Sequence, residues 1–137
     1  WYLIGYRRDE NLILKKIQEE NMQDYVIMLG KQENPYPYIN MCDVYIQPSR
    51  YEGKCVAVRE AQMLGKPVII TNYTTSSSQL NNGVDGIIVP MDNRSCGEEI
   101  AKILNNKELL EKIKSNCAKN DYSGFEEAKK ISYIMNG

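Results

Sequence analysis

Two glutamates, Glu52 and Glu60, are the side chains of this sequence that first suggest chemistry, as charged hydrogen-bond acceptors. They lie in the segment Pro48–Thr71, PSRYEGKCVAVREAQMLGKPVIIT, with seven residues between them. The segment predicts a loop, a helix and a buried strand in that order, because Gly65 and Pro67 together form a usual helix stop. Glu52 is therefore predicted in the loop and Glu60 on the helix.

The helical neighbours of Glu60 make it an unusual residue. The residues three and four positions away are Val56, Ala57, Met63 and Leu64, all apolar. This spacing predicts that the carboxylate lies in the stripe facing the sheet. A charge there is costly unless it is hydrogen-bonded. Its partner is either a ligand or a nearby Arg, Lys or backbone N–H of the protein itself.

The whole block resembles the E-x7-E signature of GT-B glycosyltransferases, specifically the retaining enzymes of family 4 (group 1). The matching residues are P-S-R-Y-E-G and E-A-x-x-x-G-K-P-V-I with the apolar strands on either side, including Gly53 and Ala61. In that family the motif lies in the C-terminal Rossmann-like domain and holds the nucleotide-sugar donor. The chain departs from the pattern at Lys54 and Cys55, where Phe and then Gly or Pro are usual.

The resemblance implies a role for each residue of the block. Glu52, the predicted catalytic residue, would contact hydroxyls of the donor sugar, and Glu60 would accept hydrogen bonds from ribose hydroxyls. The backbone at Gly53, Lys54 and Cys55 would approach the diphosphate and the sugar. The Lys54 side chain would either add a phosphate contact or remain a solvated loop residue.

Two further segments enter the predicted donor site through the same resemblance. Gly30 and Lys31 follow a strand and would lie near the donor base, although Gly30 is equally well explained as a turn residue. The hydroxyl-rich run Thr74–Ser78 is either a flexible loop or a helix start with free N–H groups for a diphosphate. The resemblance favours the second alternative, with Thr74 in the site.

The elements that position these residues follow from apolar periodicity. Helices are predicted after a cap at Asp9, in a short form around 34–42, over about 55–64, from Ser95 onward, and in a last amphipathic segment beginning at Phe125. Strands are predicted at Trp1–Ile4, Tyr25–Leu29, Asp43–Gln47, Val68–Thr71 and Ile87–Val89. Strand, helix, strand at these lengths indicates parallel pairing with right-handed crossovers. The fold class predicted is α/β, a three-layer Rossmann-like sandwich with a parallel sheet.

This topology also predicts where the site lies. In an open parallel sheet, ligands bind outside the carboxyl ends of the strands. The loop 48–54 and the segment 72–78 both leave such ends, so we expect them to be neighbours at one rim of the sheet.

Composition narrows the function. The chain has 137 residues, a net charge of −1 and 42% hydrophobic residues, which indicates one globular domain and gives no electrostatic case for nucleic acid. There is no histidine, the four cysteines form no C-x-x-C motif, and no Asp-x-Asp pair occurs. We therefore expect no metal and no cofactor, a reducing cytoplasmic setting, and incomplete acid–base chemistry in this chain alone. No signal peptide or membrane-spanning segment is predicted.

These expectations combine into one hypothesis and two alternatives. The chain resembles the donor half of a retaining glycosyltransferase, without the N-terminal acceptor domain or the first βα unit, and surface-polysaccharide synthesis is the family-level expectation. The implied partners are a nucleotide-sugar donor and a saccharide or lipid-linked acceptor held by the missing domain, with the enzyme either free in the cytoplasm or peripheral to the inner face of the membrane. Uncovered apolar surface predicts self-association. The alternatives are a non-catalytic nucleotide-binding module acting through a partner, and a UDP-sugar epimerase.

Overall fold

The computed structural model describes residues 1–5 and 10–122. The chain divides into two compact units, Trp1–Tyr38 and Ile39–Gly137. The predicted cap at Asp9 and the predicted helix beginning at Phe125 lie outside the described residues.

The unit Trp1–Tyr38 contains a strand, a helix and a second strand. These are β1 (Tyr2–Ile4), α1 (Glu10–Glu19) and β2 (Ile27–Gly30). The two strands pair in parallel, with Tyr2 opposite Ile27. The parallel βαβ unit predicted from the sequence is therefore confirmed. A short helix, α2 (Tyr36–Met41), follows along the chain.

The unit Ile39–Gly137 is built around a second parallel sheet. Its strands pair in the order β3-β4-β5, all parallel. The elements in chain order are β3 (Tyr45–Gln47), α3 (Val56–Met63), β4 (Val68–Thr71), α4 (Ser76–Gln79), β5 (Ile87–Val89), α5 (Asn93–Asn105) and α6 (Lys107–Lys119).

The central strand β4 is the core of this unit, and all four of its residues are buried. Because side chains alternate along a strand, neighbouring residues pack against different layers. Val68 and Ile70 pack in one apolar cluster with Val58 and Ala61 of α3. Ile69 packs in a second cluster with Cys96, Ile100 and Ile103 of α5. Helices therefore cover both faces, and the predicted α/β class with a parallel sheet is confirmed.

Helix α3 ends as its sequence predicts. Gly65 has a φ of +68°, the left-handed conformation that glycine adopts without a side-chain clash. Its N–H donates to the Gln62 carbonyl at 2.9 Å, and the Lys66 N–H donates to the Ala61 carbonyl at 2.9 Å. This pair of hydrogen bonds is the Schellman motif. It turns the chain directly into the buried strand β4.

The buried face of α3 differs from the prediction. Val58 and Ala61 are 0% exposed, whereas Val56 is 67% exposed and Met63 is 57% exposed. Val56 and Met63, two of the apolar neighbours of Glu60, therefore do not face the sheet, and the expectation that its carboxylate lies in the buried stripe is wrong. Glu60 itself is half-buried. The helix carries two apolar stripes, and the sheet takes the one that contains Val58 and Ala61.

The helical region predicted from Ser95 onward consists of two helices. Asp92 caps α5, since its carboxylate accepts a hydrogen bond from the Ser95 N–H at 3.1 Å. Asn106 ends α5 and caps α6, accepting from the Leu109 N–H at 3.1 Å. No helix among the described residues is long and apolar enough to cross a membrane.

Candidate functional site

The loops that follow β3 and β4 lie against each other, as the parallel topology predicts. The Thr71 hydroxyl donates a hydrogen bond to the Ser49 carbonyl. The Thr75 hydroxyl lies 2.7 Å from the Glu52 carbonyl and 2.9 Å from the Gly53 carbonyl. These bonds join residues 22 or 23 positions apart in sequence. The prediction that the two loops are neighbours at one rim is confirmed.

A second set of contacts holds Gly53 from the side of α4. The Gln79 side-chain amide donates to the Gly53 carbonyl at 3.3 Å. The Gln79 backbone carbonyl in turn accepts from the Arg59 guanidinium at 3.5 Å. That guanidinium lies over the Tyr122 ring, 5.1 Å from its centroid, in a cation–π arrangement. The Gly53 backbone is thus connected to α3 and to the chain beyond α6.

The hydroxyl-rich run after β4 is the start of a short helix. Thr75 is the N-cap residue of α4, but its side chain makes no hydrogen bond to the helix. Its hydroxyl bonds the neighbouring loop instead. Of the two alternatives left by the sequence, helix start and flexible loop, the structure therefore shows the helix start. The diphosphate contact proposed for this segment stays a prediction.

The Glu52 side chain is held on one of its two oxygens. Its Oε1 accepts hydrogen bonds from the Ser49 hydroxyl at 2.7 Å and from the Gln47 amide at 3.2 Å. The Gln47 amide oxygen accepts from the Tyr45 hydroxyl at 2.7 Å. Tyr45 and Gln47 belong to β3 and lie two residues apart, on the same face of the strand. The loop carboxylate is therefore anchored to a strand of the sheet.

An open cleft of ≈ 250 Å³ lies at this rim. Its lining residues are Arg50, Tyr51, Glu52, Gly53 and Thr74. Three of them were predicted as site residues from sequence, and the structure brings these three together. Arg50 and Tyr51 were not predicted. Their position in the loop of Glu52 could have indicated them, because Arg50 brings a cation and Tyr51 an aromatic ring close to that residue in sequence.

Lys54 and Cys55 follow the cleft residues along the chain but do not line the cleft. The Lys54 side chain is exposed. Cys55 is the N-cap residue of α3 and packs with Tyr45 against the apolar cluster beneath. Burial raises the pKa of the Cys55 thiol, nearby backbone N–H groups oppose that shift, and the Glu52 charge adds to it. Cys55 is thus a protonated, half-buried thiol at neutral pH.

Glu60 and Glu52 both act electrostatically on the Tyr45 phenol. Burial is the largest cause that raises the pKa of Tyr45, followed by Cys55, whose thiol is charged only at alkaline pH, and by the carboxylates of Glu52 and Glu60. Glu52 lines the cleft, whereas Glu60 is not among its lining residues. Glu52 lies in the loop before α3, and Glu60 lies in the middle of that helix.

Gly30 and Lys31 belong to the other compact unit, at the carboxyl end of β2. Gly30 has a φ of +65°, so its turn role is shown. Lys31 is exposed. The contact of these two residues with a donor base stays a prediction.

Within residues 1–5 and 10–122, no three His, Cys, Asp or Glu side chains come together as a metal site requires. The expectation that a donor binds here without a metal or a cofactor stays a prediction.

The chain is similar in sequence and in fold to known proteins. The family described as Glycosyl transferases group 1 matches residues 2–120. The chain is 26% identical over 115 residues to the Escherichia coli UDP-Gal:alpha-D-GlcNAc-diphosphoundecaprenol alpha-1,3-galactosyltransferase, covering 83% of this chain and 30% of that protein. It is 34% identical over 95 residues to the Staphylococcus aureus capsular polysaccharide biosynthesis glycosyltransferase CapM, covering 69% of this chain and 25% of CapM. The chain thus spans a third or less of the length of these relatives.

Solved structures agree on the fold. Anabaena HepE in complex with UDP superposes with a TM-score of 0.81 at 19% identity, over 98% of this chain and 40% of HepE. A point mutant of Staphylococcus aureus TarM in complex with fondaparinux, alpha-GlcNAc-glycerol and UDP gives a TM-score of 0.83 at 20% identity, over 99% of this chain and 29% of TarM. Identities this low show a shared fold alone. The match over residues 2–120 shows that this chain belongs to the glycosyl transferases group 1 family.

Proposed function

We propose that this chain is the donor-binding part of a glycosyltransferase that transfers a sugar from a nucleotide diphosphate sugar with retention of configuration. The observation that carries the proposal is the placement of Glu52. Its carboxylate is anchored at the carboxyl end of a parallel strand, and the residue lines an open cleft with Gly53 and Thr74. This is the edge at which parallel α/β sheets bind ligands.

The proposed division of roles follows the positions of the side chains. Glu52, in the cleft, receives hydrogen bonds from hydroxyls of the donor sugar. Glu60, half-buried on α3, receives them from the ribose. Gly53 with its exposed backbone, and Lys54 and Cys55 beside it, approach the diphosphate. A carboxylate accepts several hydrogen bonds at once, so it suits a ligand made of vicinal hydroxyls.

The proposed donor is a UDP-sugar, and the proposed product belongs to a surface polysaccharide. The Escherichia coli relative is named for UDP-Gal and a diphosphoundecaprenol acceptor. HepE, which shares the fold, has been solved with UDP-glucose. A saccharide or lipid-linked acceptor is therefore proposed, bound by parts of the enzyme beyond this chain. Gly30 and Lys31 are proposed to contact the uracil base.

Calorimetric titration with UDP and with UDP-glucose tests the proposal. A hydrogen bond to a charged group is typically worth about 1.5–3 kcal/mol, so Glu60→Gln should weaken UDP binding about ten-fold or more. Glu52→Gln should leave UDP affinity nearly unchanged and remove most of the extra affinity for UDP-glucose. Glu98→Gln is the matched control, because Glu98 is exposed on α5 and pairs with Arg94.

Two outcomes would contradict this assignment. The first is that the unaltered protein binds neither ligand. The second is that Glu60→Gln lowers the melting temperature and that nucleotide affinity falls only in proportion to the unfolded fraction, which would make Glu60 a structural residue.

A further inference from the structure

We propose that Gln47 is a positioning residue, which sets the direction of the Glu52 carboxylate and thereby controls recognition of the sugar rather than of the nucleotide. The inference rests on the proposed function for its effect on ligands. The claim that Gln47 positions the Glu52 carboxylate does not depend on any ligand.

The geometry is a chain of hydrogen bonds from the sheet to the cleft. The Tyr45 hydroxyl donates to the Gln47 amide oxygen at 2.7 Å, and the Gln47 amide nitrogen donates to Glu52 Oε1 at 3.2 Å. The same amide nitrogen lies 3.0 Å from the Ser49 hydroxyl, which itself donates to Oε1 at 2.7 Å. Tyr45 is thus bonded to Gln47, and Gln47, Ser49 and Glu52 are each bonded to the other two.

The chemistry of these groups permits only one orientation of the Gln47 amide. An ionised carboxylate accepts hydrogen bonds and donates none, so the NH₂ group must face Glu52. The amide oxygen then faces Tyr45, whose hydroxyl donates to it. Burial raises the pKa of Tyr45, and the nearby Cys55 adds to the shift, so this hydroxyl keeps its proton throughout the neutral range. Tyr45 therefore completes the hydrogen bonding of Gln47.

Backbone pairing makes Gln47 a firm support. Gln47 is the last residue of β3 and is paired with Ile70 of the buried strand β4. Ser49, the other donor, lies in the loop itself. The Ser49 backbone is tied to β4 through the Thr71 hydroxyl, and the bond from Gln47 adds a direct link between a strand side chain and the carboxylate.

The consequence concerns the second carboxylate oxygen. Both hydrogen bonds that the described residues donate to the Glu52 carboxylate fall on Oε1. Oε1 is therefore the anchored atom, and Oε2 is the atom that a ligand hydroxyl would approach. Loss of the Gln47 bond would let the carboxylate rotate and would spread Oε2 over several positions.

The test compares Gln47→Met, Gln47→Glu and Tyr45→Phe by calorimetric titration with UDP and UDP-glucose. Gln47→Met keeps the length of the side chain and removes its three hydrogen bonds, with Tyr45, Ser49 and Glu52. The advantage of UDP-glucose over UDP should therefore fall roughly three- to ten-fold, with UDP affinity unchanged. Gln47→Glu keeps an acceptor for Tyr45 but places a second carboxylate against that of Glu52. The advantage of UDP-glucose over UDP should therefore fall further than in Gln47→Met. Tyr45→Phe should reduce the advantage of UDP-glucose over UDP least of the three variants. Gln18→Met, on an exposed face of α1, is the control.

A crystal structure of Gln47→Met without ligand provides the second measurement. We expect Glu52 to leave its position beside Ser49 or to occupy more than one conformation. An unchanged Glu52 would overturn the proposal whatever the titrations show. So would an equal loss of UDP and UDP-glucose affinity with a lower melting temperature, which would indicate a purely structural role. If the unaltered protein binds no UDP, the proposed function fails, and the crystal structure still decides whether Gln47 positions Glu52.

Discussion

Three hydroxyl side chains hold the loop that carries Glu52, and each bonds a different part of it. Thr71 bonds the Ser49 carbonyl, Thr75 bonds the carbonyls of Glu52 and Gly53, and the Ser49 hydroxyl bonds the Glu52 carboxylate. Thr71 belongs to the buried strand β4, so its bond ties the beginning of the loop to the sheet. The carboxylate is therefore held from the strand side and from the loop side at once.

Tyr73 allows the effect of a buried, unpaired hydroxyl on the stability of the fold to be measured. It is 2% exposed, and its hydroxyl is buried with no hydrogen-bond partner among the described residues. A buried polar group without a partner costs about 1–3 kcal/mol. Tyr73→Phe should therefore raise the free energy of unfolding by about 1 kcal/mol in urea denaturation at pH 7. Tyr51→Phe, at 89% exposure, should change nothing. A loss of stability in the Tyr73→Phe variant would mean that the hydroxyl has a partner in solution.

The same residue predicts a dependence of stability on pH. Burial raises the pKa of Tyr73 to about 12, with smaller contributions from Cys55 and Glu52, against about 10 for free tyrosine. Folding thus favours the neutral phenol, so this contribution to stability is complete below about pH 10 and is lost as the pH rises toward 12. Unfolding curves from pH 8 to pH 11.5 should show a shallower alkaline loss for Tyr73→Phe. Parallel curves for the two proteins would contradict the assignment.

The hydrogen bonds that hold Glu52 and its loop show which features of single residues could not be predicted from the sequence. The glutamate itself was predictable from its motif, as was its place in a loop at the rim of the sheet. The sequence also shows Thr71 and Thr75 but not their partners, because these threonines and their acceptors lie 22 or 23 positions apart. Contacts over that distance depend on how the strands are placed, which local patterns do not determine.

Helix α3 shows how far periodicity determines an element. Its position and its stop at Gly65 followed from local signals, and both are confirmed. Its buried face did not follow, because the helix carries one stripe with Val56 and Met63 and another with Val58 and Ala61. Both stripes satisfy helical spacing, and the choice depends on the residues that β4 presents. Strand β4 itself was predicted with its observed bounds, because an apolar run after a proline has no such ambiguity.

The same change, Gly→Ala, should have opposite effects on stability at two glycines, and this comparison tests the turn at the end of α3. Gly65 has a φ of +68°, which costs a residue with a side chain about 1–2 kcal/mol. Gly97 lies within α5 with no atom near its missing side chain. Gly65→Ala should therefore destabilise by about 1 kcal/mol, and Gly97→Ala should stabilise by about 0.5–1 kcal/mol. Thermal unfolding of both variants measures this, and equal shifts would mean that the left-handed turn is not kept in solution.

At the scale of the whole molecule, exposed apolar side chains in the unit Trp1–Tyr38 indicate association. Tyr2, Tyr25 and Ile27 are exposed large hydrophobic residues on or beside its two strands. A two-stranded sheet is marginal by itself, and an exposed apolar edge strand pairs readily with another copy. We expect dimers that depend on concentration in sedimentation experiments.

A charge on the edge strand checks this prediction. Tyr2→Lys should shift the protein toward monomer, because lysine on an edge strand opposes edge-to-edge pairing. Met41→Lys, at a residue that is also exposed but lies at the end of α2, should leave the dimer unchanged. A monomer at high concentration for the unaltered protein would contradict the expectation.

The last prediction concerns activity. The chain spans 30% of the Escherichia coli relative and 25% of CapM, and the function proposed above has the acceptor bound by parts of the enzyme beyond this chain. The chain also contains no histidine to act as the usual general base at neutral pH. We expect the 137-residue chain to bind UDP and to transfer no sugar from UDP-glucose to saccharide or lipid-linked acceptors. Product detection by mass spectrometry measures this, with Glu52→Gln as the matched background. Transfer above that background would show that the residues of this chain suffice for the chemistry.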